Sequence, residues 1–223
     1  MTTHAARVAI VAYPGLQALD VVGPHEVFST ANRRLAELGA PPAYELELLG
    51  TSTEPFRCSS GLAIVADRRL EDHGGDGIDT LIVPGGDGTE RAFFDDDLIA
   101  WIARTAPRCR RVVSVCVGAF LLARAGILDG RRATTHWSRC AQLAELFPAV
   151  DVQAEPIFVR DHHIWTSAGV TAGLDLALAL VEEDHGRDLA LDVARWLVLF
   201  LRRPGGQSQF SAQLDAQLAE RDV

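Results

Sequence analysis

Ser114-Val115-Cys116-Val117-Gly118 sets a single cysteine between two stretches of opposite character. Before it, Arg111-Val112-Val113-Ser114-Val115 is a short β-branched apolar run, as expected of a strand covered on both faces. After it, residues 119–125 are good helix formers and stop at Gly126, a candidate left-handed cap. A strand that turns sharply into a helix lifts its apical side chain clear of the sheet. The first free amides of the helix then point at that side chain and favour negative charge there. The thiol is therefore expected to ionise more readily than a free cysteine. Such a place suits a nucleophile or an anion trap. The plainer alternative is a buried cysteine packed as a small hydrophobe.

Working outward, residues 7–12 read as a first strand closed by Tyr13-Pro14-Gly15, and a helix is predicted from about Pro24 to Gly39. Strands are predicted over 44–49, over 62–66 at an edge, and over 80–84, the last running into Gly85-Gly86. A helix over 98–105 leads to the cysteine strand. Residues 133–136 suggest a short strand and 138–146 a helix. Residues 156–160 and 163–167 flank Asp161-His162 as a hairpin. Two long helices are expected over 171–183 and 187–202. Strands alternating with helices, several of them apolar throughout, predict an α/β fold: a parallel sheet with helices on both faces.

The chain has 223 residues, 48% hydrophobic and 23% charged, an ordinary globular composition. No apolar run approaches the roughly 20 residues needed to cross a bilayer. The first residues enter a strand with no signal-peptide pattern, so a cytoplasmic location and no membrane partner are expected. All 21 basic residues are Arg; against 30 acidic residues they leave a net charge of −9. That balance argues against this chain alone gripping phosphate backbones. Cys58, Cys109, Cys116 and Cys140 show no paired CxxC spacing, so disulfides are not expected and the other three thiols read as structural.

Gly85-Gly86 falls at the carboxyl edge of the sheet, where open α/β folds place ligands, and its amides could form an oxyanion hole beside Cys116. Asp20 is an acid among apolar neighbours just after the first strand. It either hydrogen-bonds the cysteine sulfur as an acid/base or caps the helix near Pro24. His136 either approaches the site as a base or ligand anchor, or is a satisfied, partly buried histidine. His162-His163 reads as an exposed turn, and with no third ligand at metal spacing no metal or cofactor is expected.

Together, Asp20-Val21-Val22-Gly23-Pro24, Pro84-Gly85-Gly86, Ser114-Val115-Cys116-Val117-Gly118 and Ala133-Thr134-Thr135-His136-Trp137 resemble the DJ-1/PfpI superfamily over about residues 7–211. The resemblance implies a flavodoxin-like, class I glutamine amidotransferase-like sheet with a nucleophile-elbow cysteine. Two branches carry this set: isocyanide hydratases and the N-terminal domains of AraC/GlxA-type transcription regulators. Residues 166–173, 181–186 and 202–210 are similar to the regulators. The resemblance then implies a ligand-sensing domain over 1–203 and a linker-like tail over 204–223. Cys116 and Asp20 would be the reactive pair, with Gly85, Gly86, Val117 and His136 around a small-molecule effector. A homodimer is implied, with DNA reached only through a helix-turn-helix domain for which the chain stops too soon at Val223.

The resemblance also narrows the chemistry. Protease-like members carry His directly after the cysteine, where this chain has Val117, and no His-x-Glu of the amidotransferase kind stands near the C-terminus. Neither a peptidase nor a glutaminase is expected. Hydratases typically carry a Thr at the Val117 position, and losing a hydrogen bond on which a site relies costs about 1–3 kcal/mol. The Asp20–Cys116 pair still matches the hydratases, which makes hydration of an isocyanide the alternative activity.

Overall fold

A strand covered on both faces must be apolar along its whole length, and the three such runs of this sequence form the middle of one sheet. The computed structural model describes residues 5–201, Arg203 and Gly206. The chain begins with β1 (Ala6–Ala12), α1 (Ala18–Glu37) and β2 (Tyr44–Gly50). A small ribbon of β3 (Phe56–Arg57) and β4 (Ala63–Ile64) precedes β5 (Arg68–Arg69) and α2 (Leu70–His73). Then come β6 (Thr80–Val83), α3 (Thr89–Phe93), α4 (Asp96–Thr105), β7 (Arg111–Ser114) and α5 (Ala119–Arg124). A second ribbon pairs β8 (Arg132–Ala133) with β9 (Asp151–Val152) around α6 (Cys140–Leu146). The hairpin β10 (Phe158–Asp161) and β11 (Ile164–Ser167) leads to α7 (Ala172–His185) and α8 (Arg187–Trp196).

The main sheet has the order β10-β11-β7-β6-β1-β2-β5. Its pairs are parallel except β10 with β11, and Ile10 stands in register between Leu48 and Ile82. Every residue of β6 and β7 is buried. Helices α1, α7 and α8 pack on one another in one layer, and α2 to α5 in another. The chain winds one way from β1 to β2 and the other way to β6, so the sheet reverses direction between β1 and β6. At such a switch point the loops leaving the carboxyl ends diverge and open a crevice.

Several expectations are corrected. Helix α1 starts at Ala18, six residues before Pro24, which sits inside it. Proline has no N–H to give the carbonyl four residues back, but its ring packs toward Gly173 of α7, where a Cβ would lie 3.5 Å from Pro24 Cγ. The 62–66 strand shrinks to β4 and stays out of the main sheet, with Leu62, Ala63 and Val65 exposed and only Ala66 buried. The 133–136 strand shortens to β8, and the last helix ends at Trp196, with Val198 at φ +56 beyond it. The linker-like tail over 204–223 lies outside the described residues except for Gly206.

Candidate functional site

The sequence turns out of β7 within two residues. Cys116 takes φ +56, a 3-10 turn spans Cys116–Gly118, and α5 follows at once. A positive φ costs a non-glycine residue about 1–3 kcal/mol unless the surroundings impose it. Here they do: the Cys116 amide donates to Ala168 O at 3.1 Å and its carbonyl accepts from Thr135 Oγ1 at 2.8 Å. The turn also presses against the end of β6. A Cβ on Gly118 would stand 2.2 Å from Val83 O, and one on Gly85 would stand 2.6 Å from Val117 N. Both positions need glycine because two backbones meet there.

Asp20 is the third residue of α1 and is fully buried. It does not cap a helix near Pro24, since α1 already begins at Ala18, and the hydrogen bond it accepts is from a backbone amide. Its Oδ2 accepts the Gly85 amide at 2.9 Å, and its Oδ1 has no hydrogen-bond partner. Burial pushes its carboxyl up to about 7, with the Gly85 bond pulling the other way. The Gly85 amide is thereby committed to Asp20, which corrects the expectation that both glycines offer free amides. The Gly86 amide has no protein partner among the described residues.

The expected acidity of the thiol is also corrected. Cys116 is 7% exposed, and burial followed by the Asp20 charge pushes it up to about 12. The Val117 and Val170 amides and the Arg139 charge act in the expected direction, toward the thiolate. They are outweighed because α5 is six residues long and the sulfur has little water around it. Near neutrality the sulfur keeps its proton, while Asp20 is close to its own midpoint and exchanges a proton readily.

Cys116, Val117, Gly86 and His136 line one cavity of about 690 Å³, while Asp20 and Gly85 lie behind it. The His136 ring lies on the Gly169 backbone, where a Cβ would be 2.1 Å from Cδ2. Its Nδ1 sits 2.8 Å from Ser138 Oγ, and burial together with Arg139 lowers its basicity. Sequence reading missed much of the wall, including Arg139, Gln142, Glu90 and the aromatic rings Phe93, Phe94 and Phe120. It also missed Tyr13, whose buried hydroxyl donates to Pro84 O at 2.7 Å and lies 3.0 Å from Thr89 Oγ1, fixing the loop that carries Gly86. A tyrosine directly after an apolar strand was the available signal. Among the described residues no group of three or more His, Cys, Asp or Glu side chains could hold a metal ion, and no helix is long and apolar enough to cross a membrane.

The sheet order, the Cys116 turn and the cavity beside it define a known arrangement, and residues 6–183 match the profile of the DJ-1/PfpI family. This chain belongs to that family. Among DJ-1/PfpI relatives, the isonitrile hydratase of Pseudomonas putida is 33% identical over 187 residues, 83% of this chain and 75% of that protein. The HTH-type transcriptional regulator CdhR of Pseudomonas aeruginosa is 34% identical over 191 residues, covering 86% of this chain. The match takes in 54% of CdhR, so this chain corresponds to about half of that regulator. A THiJ/PfpI family protein from Pseudomonas syringae superposes with a TM-score of 0.78 at 30% identity, over 98% of this chain and 88% of its own. An AraC family regulator from Pseudomonas putida shares the fold, with a TM-score of 0.71 at 23% identity over 86% and 99% of the two chains.

Proposed function

We propose that this DJ-1/PfpI domain senses a small molecule, as the corresponding part of an HTH-type regulator, and binds it in the cavity over Cys116. One observation carries the reading: the cavity floor is a thiol that burial and Asp20 hold protonated. Nucleophilic attack needs the thiolate, so the site is better suited to holding a ligand than to turning one over. Val117 adds apolar surface where a hydroxyl would serve a polar reaction. In this reading the domain acts as a cytoplasmic homodimer, and DNA contacts come from a separate helix-turn-helix domain. The similarity to CdhR supports that arrangement.

The second reading is an isocyanide hydratase, favoured by Asp20, whose affinity for protons near pH 7 fits it to take and return one. The Cys116 thiol would add to the terminal carbon, its proton passing through Asp20 to that carbon to give a thioimidate. Water would then add and the C–S bond break, releasing an N-substituted formamide and restoring the thiol.

The two readings separate on one pair of measurements. Purified protein is given a panel of alkyl isocyanides, and separately a metabolite extract followed by native mass spectrometry. Sensing predicts no formamide, a bound small molecule in the extract, retention of that mass in Cys116→Ala, and its loss in the cavity-filling Val117→Phe. Formamide production that disappears in Cys116→Ala overturns the sensing reading.

A further inference from the structure

Most arginines near the surface of this protein have carboxylate partners: Arg34 pairs with Asp192, Arg110 with Asp79, and Arg124 with Asp96. Arg139 does not. It lines the cavity, yet its only side-chain bond is to Gln142 Oε1 at 3.0 Å, and no carboxylate lies within ion-pair distance among the described residues. Its charge is close enough to act on both Cys116 and His136. An unpaired guanidinium on a cavity wall keeps a forked set of donors matched to a carboxylate.

His136 adds a second donor. Nδ1 lies 2.8 Å from Ser138 Oγ and 3.4 Å from the Ser138 amide, and in the tautomer in which it accepts from both, the ring proton is on Nε2. Nε2 has no protein acceptor among the described residues, and the ring is a wall of the same cavity. The unpartnered Gly86 amide is a third donor beside them. Three donors therefore line the cavity that Cys116 opens into, and apart from the Arg139 bond to Gln142 no acceptor among the described residues meets them. Asp87 and Glu90, both exposed, line the cavity without reaching Arg139, and they oppose entry of a second negative charge. Phe93, Phe94 and Phe120 supply an apolar wall.

We infer that the cavity takes a small monocarboxylate with an apolar body, its carboxylate held by Arg139 and the Nε2–H of His136. The inference rests on the reading of this cavity as a ligand site and names the ligand's chemical class.

Calorimetric titration of the full chain with phenylacetate and with its neutral isostere phenylacetamide tests it. Phenylacetate should bind at least tenfold more tightly than the amide. Arg139→Gln should erase the preference with the melting temperature unchanged, since the side chain is exposed. Arg139→Lys should keep part of it. Equal affinity for acid and amide, or an unchanged preference in Arg139→Gln, overturns the carboxylate assignment and leaves the cavity a ligand site. Failure of both phenylacetate and hexanoate to bind also overturns it. In that case the isocyanide and extract experiments decide independently whether the sensing reading stands.

Discussion

The Asp20 carboxyl holds the Gly85 amide at 2.9 Å through one oxygen, while its other oxygen is buried without a partner. One hydrogen bond does not replace the water such a group loses, so the protonated form is favoured in the fold. The folded value, about 7, stands above the ordinary carboxylate value of 3.8. A raised value contributes stability that is complete below about pH 4 and is lost as pH rises toward 7. The shift corresponds to at most about 4 kcal/mol. Asp20→Asn keeps the acceptor for Gly85 and removes the charge. In urea denaturation the variant should match the wild type near pH 4 and exceed it at pH 8. A variant less stable than the wild type at pH 8 would contradict this account.

The same charge governs Cys116. With a thiol held up to about 12, roughly one molecule in ten thousand carries a thiolate at pH 8. Alkylation of Cys116 by iodoacetamide, followed by peptide mass mapping, should be slow at pH 8 and accelerate through pH 10. Asp20→Asn removes a charge that opposes ionisation, and the rate at pH 8 should rise by about tenfold. Fast alkylation of the wild type at pH 7 would restore the reactive-nucleophile reading.

How much of this was legible beforehand depends on how local each cause is. The central strands could be read because β6 and β7 are buried at every residue, and that condition is written in their composition. The Cys116 turn could be placed because a β-branched run is followed, past Gly118, by good helix formers from Ala119 on. The start of α1 could not, since Pro24 looks like a first-turn proline but stands inside the helix, its ring packed toward Gly173. The acidity of Cys116 was misjudged for a similar reason. Helix amides are a local signal, whereas the burial that outweighs them, and the Asp20 charge that adds to it, come from parts of the chain far away in sequence. Arg139 and the aromatic wall carry no local pattern and emerge only once α3, α5 and α6 converge on the crevice.

The close backbone approach at the site gives a prediction that separates contact from conformation. Gly118 has an ordinary helical φ of −58°, but its Cβ would lie 2.2 Å from Val83 O. Gly126 has φ +75 with nothing within 4 Å of a Cβ. Gly126→Ala should cost about 1 kcal/mol of conformational strain and leave ligand binding intact. Gly118→Ala must push the end of β6 away, costing about 3 kcal/mol, and should abolish binding because the turn under Cys116 moves with it. Equal stability losses for the two variants would mean that the backbone contact at Gly118 relaxes without consequence.

At the other end of the sheet, Arg111 is 2% exposed and donates to Asp184 Oδ2 at 2.5 Å, Thr80 Oγ1 at 3.2 Å and Glu183 Oε2 at 3.4 Å. Asp184 also receives Arg110 and the Tyr44 hydroxyl, so β1's neighbours, β7 and the end of α7 are tied together by charge. The two arginines hold the Asp184 carboxyl below its ordinary value against its burial. A lowered value contributes stability that is present above the ordinary carboxylate range and is lost as pH falls through the folded value. Breaking a buried pair by removing one partner costs about 3–5 kcal/mol, and Arg110 remains as partial compensation, so Arg111→Met should lose about 3 kcal/mol at pH 7. It should also show a shallower loss of stability on acidification than the wild type. This network sits at the amino ends of the strands and the cavity at their carboxyl ends, so binding of phenylacetate should be unchanged in folded Arg111→Met. A weakened affinity there would mean that the charge network reaches the Cys116 site through the sheet.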